Sequence, residues 1–149
     1  WKILAKNLPK PPILIFVGDG KLRHALESDA PEGVIFVGFQ NQTAIPAFYA
    51  AADLFVLVSE MEPWGLAINE AMACGTAVVA SNQCGASYDL IDEDTGRMVG
   101  VGNQDALVEA ISEVLTSSDR MGKAAQKKVF SWNFEADLMG LKRALGSVL

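Results

Sequence analysis

Five short apolar runs, separated by stretches of helical character, constrain this chain more than any other feature. They are Ile13-Leu-Ile-Phe-Val17, Val34-Ile-Phe-Val37, Asp53-Leu-Phe-Val-Leu-Val58, Thr76-Ala-Val-Val-Ala80 and a weaker Gly96-Arg-Met-Val99. Each is rich in β-branched or aromatic residues and bounded by Gly, Ser or Asp, which predicts strands. The runs are apolar at consecutive positions rather than alternate ones, which predicts strands covered on both faces, as in a parallel sheet.

Helical patterns lie between the runs. Lys21 to Ser28 is short and polar, and Thr43 to Ala52 carries Pro46 in its first turn, where proline is tolerated. Gly65 to Cys74 is followed by Gly75, a helix stop. Leu107, Ile111, Val114 and Leu115 form one apolar stripe; Phe134, Leu138, Leu141, Leu145 and Val148 form another on a terminal helix. The sum is an α/β chain with a doubly wound, Rossmann-like parallel sheet of five strands, read as a single domain over 1–149. The chain starts at Trp1, within helical character, and reads as part of something longer.

Composition narrows the function classes. Lys plus Arg is 12 and Asp plus Glu is 18, a formal net charge of −6, which argues against nucleic acid as a partner. Half of the residues are hydrophobic and 20% are charged, which excludes disorder. Cys74 and Cys84 are too few for a disulfide framework and read as reduced thiols, which points to the cytoplasm. No apolar run is long enough to span a membrane, because Asp53 interrupts the longest one.

In doubly wound sheets the ligand lies beyond the carboxyl ends of the strands. Gly18-Asp19-Gly20 follows the first strand, but Arg23 stands where the dinucleotide fingerprint needs its third glycine. The segment is either a tight turn or a loop that also faces a phosphate. A receiver-type phosphoacceptor is excluded, since Asp53 is at the wrong end of its strand. Asp92-Glu93-Asp94 has a spacing that can hold a cation, but before Thr95-Gly96 it reads as an acidic surface turn. His/Cys spacing for zinc is lacking, so no metal site is expected. His24, among Lys21, Arg23 and Glu27, reads as an exposed helical histidine. Trp132 and Phe134 read as core rather than as a platform for a sugar.

The segment Glu62-Pro-Trp-Gly-Leu-Ala-Ile-Asn-Glu70-Ala-Met-Ala-Cys-Gly75 is the most informative. Its helix is apolar on nearly every face apart from Asn69 and Glu70, so it reads as buried. A buried carboxylate needs a partner, and no Lys or Arg lies one turn away. Glu70 therefore serves a polar ligand or a long-range ion pair. With a helix starting near Trp64, Glu70 falls roughly 9 Å along it. The N–H groups of Trp64, Gly65 and Leu66 at its start suit a phosphate. Carboxylate, anion site, carboxylate matches a nucleoside-diphosphate sugar: Glu70 on the ribose, the amides on the pyrophosphate, Glu62 on the sugar.

The Glu62 to Glu70 segment, followed by Ala-Met-Ala-Cys-Gly and Ala-Val-Val-Ala-Ser81, resembles the carboxyl-terminal domain of retaining GT-B glycosyltransferases, family four (group 1). Phe16-Val-Gly-Asp-Gly20, Val34-Ile-Phe-Val-Gly38, Ala52-Asp-Leu-Phe-Val56, Gly96-Arg-Met-Val and Ser131-Trp132 fall in the family's order, so the likeness covers nearly the whole chain. The resemblance implies the donor-binding half of an enzyme that moves a sugar from a nucleotide sugar to a glycan or lipid acceptor. It implies that Glu70 holds the ribose and that Glu62, the catalytic candidate, contacts the transferred sugar. The loop from Ser81 to Ala86, with Ser81 and Gly85 as its candidates, then lies near the donor, and Phe39 and Gln40 in the loop after Gly38 frame the base. Metal independence, with no cofactor beyond the substrate, is the family's habit. Peripheral association with the cytoplasmic membrane face is compatible with it. An epimerase on the same fold and a non-catalytic nucleotide-sugar-binding module are the alternatives.

Two further points follow from the resemblance. The family's Gly-Gly and Pro-Glu after the fourth strand are replaced here by Cys84-Gly85-Ala86-Ser87-Tyr88-Asp89. The family's first, central strand, its cationic Arg and Lys, and its acceptor-binding domain would all precede Trp1. A fragment so cut is expected to be inactive alone. The strands holding Ile13–Val17 and Asp53–Val58 would then either pair directly or stay apart, with Phe55 as the reporter.

Overall fold

All five apolar runs form strands, and every pairing between them is parallel. The computed structural model describes residues 1–146 apart from 9 and 11, with the side chain of Asn7 also outside the description. The chain divides into two compact units, Trp1–Phe48 and Tyr49–Leu149.

The first unit contains α1 (Leu4–Asn7), β1 (Leu14–Val17), α2 (Arg23–Ser28) and β2 (Val34–Gly38), with α3 (Ile45–Ala51) running across the division. β1 and β2 pair from Leu14↔Val34 to Phe16↔Phe36, and an irregularity then sets Val17 opposite Gly38. Phe16 and Phe36 stack across the pair with centroids 4.9 Å apart. The expectation of cover on both faces is not met here, for Ile15, Phe16, Val17 and Ile35 are all exposed. A run of apolar residues states what a strand tolerates on its two faces; it does not supply the elements that cover them.

The second unit contains β3 (Leu54–Leu57), α4 (Leu66–Ala73), β4 (Ala77–Ser81), α5 (Gly85–Leu90), β5 (Gly96–Val99), α6 (Gln104–Leu115), α7 (Ser118–Val129) and α8 (Phe134–Gly146). Its sheet runs β3-β4-β5. β4 is buried at every position and meets both expectations, a covered strand and helices on two faces. Val78 and Ala80 pack with Ile68 and Met72 of α4, Leu90 of α5, and Ala125 and Val129 of α7. Ala77 and Val79 pack with Val99 and with Ala110 and Val114 of α6. A side chain such as Val79, fully buried, gains roughly 1.5–3 kcal/mol from that transfer.

Phe55, the reporter, pairs with Val78 of β4. The five parallel strands expected from the sequence lie in a two-stranded sheet in the first unit and a three-stranded sheet in the second.

Helix ends follow their chemistry. α4 closes in a Schellman arrangement: Gly75, at φ +83°, donates to Met72 O at 3.0 Å, and Thr76 N donates to Ala71 O at 3.0 Å. Asn103 caps α6, its Oδ1 accepting from Ala106 N at 3.0 Å. α5 and α7 were not expected. α7 buries Met121, Gly122, Ala125 and Val129, a stripe of small residues on an otherwise charged helix.

The terminal stripe on α8 is corrected. Leu138, Leu141 and Leu145 are half exposed, Phe134 is 92% exposed, and Val148 lies outside the described residues. Trp132, expected in the core, is 43% exposed. The stripe's periodicity identified the helix, but nothing among the described residues buries its apolar face.

The acidic turn is as expected. Asp92 Oδ1 accepts from the Asp94 and Thr95 amides at 3.0 Å each, Asp92 Oδ2 accepts from Lys128 at 2.8 Å, and Asp94 accepts from Arg120 at 3.0 Å. Burial pushes the Asp92 carboxyl up, but the hydrogen bonds from Lys128, Asp94 and Thr95 and the Lys128 charge outweigh it and hold it below 3.8. A lowered carboxylate pKa contributes stability above the unfolded value that is lost as pH falls through the folded one. Asp92→Asn should therefore lower Tm at pH 7 and by less at a pH well below 3.8. The pair is half exposed, so the loss is below about 1 kcal/mol and shrinks in salt. An equal deficit at both pH values would show that the charge is not responsible.

Candidate functional site

In the first unit, the loops after β1 and β2 meet. Gly18, at φ +126°, donates its amide to Gly38 O at 2.8 Å. Asp19 Oδ1 accepts from the Gly20 amide at 2.8 Å, and Asp19 Oδ2 lies 3.5 Å from Arg23 Nη1. Arg23 in turn donates to Glu27 at 2.8 Å. Both glycine amides are thus engaged inside the loop, the arrangement of a self-capped turn, and neither is left for an anion. Gln40 Nε2 donates to Val37 O at 3.0 Å, and Phe39 is 79% exposed, a bare ring at the end of β2. His24 is fully exposed, as expected.

In the second unit, Glu62, Trp64, Gly65 and Leu66 follow β3, Ser81 ends β4, Gly85 opens α5, and Glu70 lies on α4. Gly65 stands before α4 in the left-handed region at φ +96°, and a side chain there would press on Ile68, Glu62 and Leu57. The helix therefore starts at Leu66, two residues later than expected. Glu70 lies four residues along it, roughly 6 Å rather than 9 Å. The amides of Trp64, Gly65 and Leu66 donate to no acceptor among the described residues, so the proposed anion cradle retains its donors.

The loop from Glu62 to Trp64 is fastened along its length. Glu62 N donates to Gln83 O at 3.0 Å, Gly85 N to Glu62 O at 3.1 Å, and Ala86 N to Trp64 O at 2.8 Å. Gly85 lies so close to the Pro63 carbonyl that a Cβ would strike it. Gly85 therefore spends its amide on the Glu62 loop rather than on a ligand. Ser81 is fully buried, its hydroxyl donating to Ser59 O at 2.6 Å and its carbonyl accepting from Ser87 Oγ at 3.0 Å. The side chain expected to face the donor instead ties the loops after β3 and β4 together.

Glu70 is exposed, contrary to the expectation of a buried helix face, and no ion pair holds it among the described residues. Its Oε2 accepts from the Tyr49 hydroxyl at 3.1 Å. Burial pushes the Tyr49 phenol well up, and the Glu70 carboxylate adds to it through its hydrogen bond and charge, with Cys74 adding further. The phenol therefore remains a donor throughout the neutral range. Tyr49, 21 residues before Glu70, left no trace in the spacing of motifs. Two other contacts were missed: Trp64 Nε1 donates to Asn69 Oδ1 at 2.9 Å, and Trp132 packs on Trp64 with centroids 5.8 Å apart. No group of carboxylates, histidines and cysteines able to hold a metal occurs among the described residues.

A family model, that of the glycosyl transferases group 1, matches residues 1–128. The chain belongs to that family. It is 33% identical over 119 residues to a lipopolysaccharide core biosynthesis glycosyltransferase of Rhizobium meliloti, a match covering 76% of this chain and 34% of that protein. It is 32% identical over 160 residues to a D-inositol 3-phosphate glycosyltransferase of Mycobacterium leprae, covering 95% of this chain and 37% of that one. The chain thus spans about a third of the length of these relatives. Among solved structures, Anabaena HepE in complex with UDP-glucose superposes with a TM-score of 0.75 at 27% identity, covering 98% of this chain and 43% of HepE. The GT-B fold expected from the sequence is thereby shown.

Proposed function

We propose that this group 1 glycosyltransferase chain is the donor-binding half of a retaining enzyme that takes its sugar from a nucleoside-diphosphate sugar. The observation that carries this reading is the pair Glu62 and Glu70 on either side, along the chain, of three N–H groups without acceptors among the described residues. Glu70 accepts the ribose hydroxyls, the amides of Trp64, Gly65 and Leu66 face the pyrophosphate, and Glu62 contacts the transferred sugar. Oriented N–H donors stabilise the leaving diphosphate as its charge develops. The complex of HepE with UDP-glucose, a protein of similar fold, supports the ligand class. Metal plays no part in this reading, and the acceptor, a glycan or lipid, is held by a part of the protein outside this chain. No helix among the described residues is long and apolar enough to cross a membrane. The reading puts the reaction in the cytoplasm, at the membrane face where the acceptor is a lipid.

The test is calorimetric titration of the intact protein with UDP-glucose, GDP-mannose and ADP-glucose, in EDTA. One of the three should bind saturably, and Glu62→Ala should lower kcat more than it weakens donor binding, since Glu62 touches the reacting sugar. Binding by none of them, or binding that returns only with a divalent cation, overturns the reading.

A further inference from the structure

We propose that Tyr49 is a positioning residue, whose phenol sets the Glu70 carboxylate in the orientation that receives a ribose. The proposal rests on the donor-binding reading above.

Glu70 is on α4 and exposed to solvent, where a glutamate side chain samples many rotamers. One of its oxygens is nonetheless fixed, because Oε2 accepts from Tyr49 at 3.1 Å. The phenol is itself held from several directions. Its ring meets Phe55 edge-on at 5.3 Å and 90°. Its backbone carbonyl accepts from Thr76 Oγ1 at 2.7 Å and from the Ala52 amide at 3.0 Å. Phe55 is on β3 and Thr76 precedes β4, so the sheet itself fixes the donor.

A carboxylate accepts at both oxygens and has about four lone-pair sites. Tyr49 takes one site on Oε2, which leaves Oε1 and the second Oε2 site for neighbouring hydroxyls of a ribose. Fixing the plane of the carboxylate before the ligand arrives removes an ordering cost from binding. A phenol suits the task better than a Lys or Arg would. It orients the carboxylate while leaving its negative charge whole, and the full charge strengthens the bonds to the sugar hydroxyls.

The experiment uses Tyr49→Phe, which keeps the ring against Phe55 and removes only the hydroxyl, in the intact protein, alongside Glu70→Ala and the double variant. The probes are UDP, GDP and ADP, each compared with its 2′,3′-dideoxy counterpart, with Tm recorded throughout. Tyr49→Phe should weaken the ribose form of the nucleotide that binds by about five- to tenfold, the weight of one hydrogen bond. It should leave the dideoxy form and Tm unchanged, and should have no effect once Glu70 is alanine. Equal weakening of ribose and dideoxy forms, or the same loss in the Glu70→Ala background, assigns Tyr49 to packing and overturns the proposal. A Tyr49→Phe variant that binds as the wild type while Glu70→Ala is weakened overturns the positioning role alone. A Glu70→Ala variant that binds as the wild type, or binding of none of the three diphosphates, overturns the donor-binding reading and the proposal with it.

Discussion

Glu70→Ala in the intact protein is expected to weaken nucleotide-sugar binding by about 2 to 5 kcal/mol, the loss of two charge-assisted hydrogen bonds to a ribose. Its effect on the fold should be small. The carboxylate is exposed and, among the described residues, its one side-chain partner is Tyr49. Removing it strands the Tyr49 hydroxyl, but that group is only part-buried and regains water. The two measurements, donor Kd by calorimetry and Tm by differential scanning, should therefore separate cleanly. A variant with wild-type affinity and a lowered Tm would mean that Glu70 holds the structure instead.

Gly122→Ala is expected to destabilise the protein by about 1–3 kcal/mol, the usual cost of forcing an atom into a filled site. The first turns of α7 pass so near the end of α4 that a Cβ at Gly122 would strike the Gly75 carbonyl, with the Ala77 amide 3.5 Å away. Gly75 is in the left-handed region, in the Schellman close of α4, and Thr76 leads directly into β4. Neither side can yield without disturbing the cap or the most buried strand. Gly140 on α8 is the control. A Cβ there meets nothing, so Gly140→Ala should be neutral or stabilising by up to about 1 kcal/mol through helix propensity alone. Urea midpoints of the two variants measure the contrast, and equal midpoints would refute the packing argument.

What the sequence disclosed and what it withheld divide along physical lines. The strands were legible because Val, Ile and Phe announce themselves in runs, and α4 because Gly65 and Gly75 bracket it. The helical placement of Glu70 was legible too, but not the start of its helix, which the left-handed Gly65 sets two residues later than expected. α7 was not, because two of the four residues in its buried stripe, Gly122 and Ala125, carry little hydrophobic signal, which leaves Met121 and Val129 two turns apart among charged residues. The partner of Glu70 was beyond reach, because Tyr49 comes to it through folding across a strand and two turns. Ser81 was misjudged for a related reason. Its place at the end of β4 suggested a ligand contact, but whether a hydroxyl faces outward or inward depends on neighbours such as Ser59, far off in the chain.

The three backbone hydrogen bonds that bind residues 62–64 to residues 83–86 make the two loops heritable only as a pair. Insertion or deletion of a residue in one would shift those bonds out of register unless the other changed length with it. A side chain larger than hydrogen at Gly85 would require Pro63 to retreat, and Glu62 with it. Among relatives of this chain, lengths in the two loops should therefore covary. Donor preference is then best altered by exchanging both loops together, since a single-loop graft would leave Glu62 without the frame that places it.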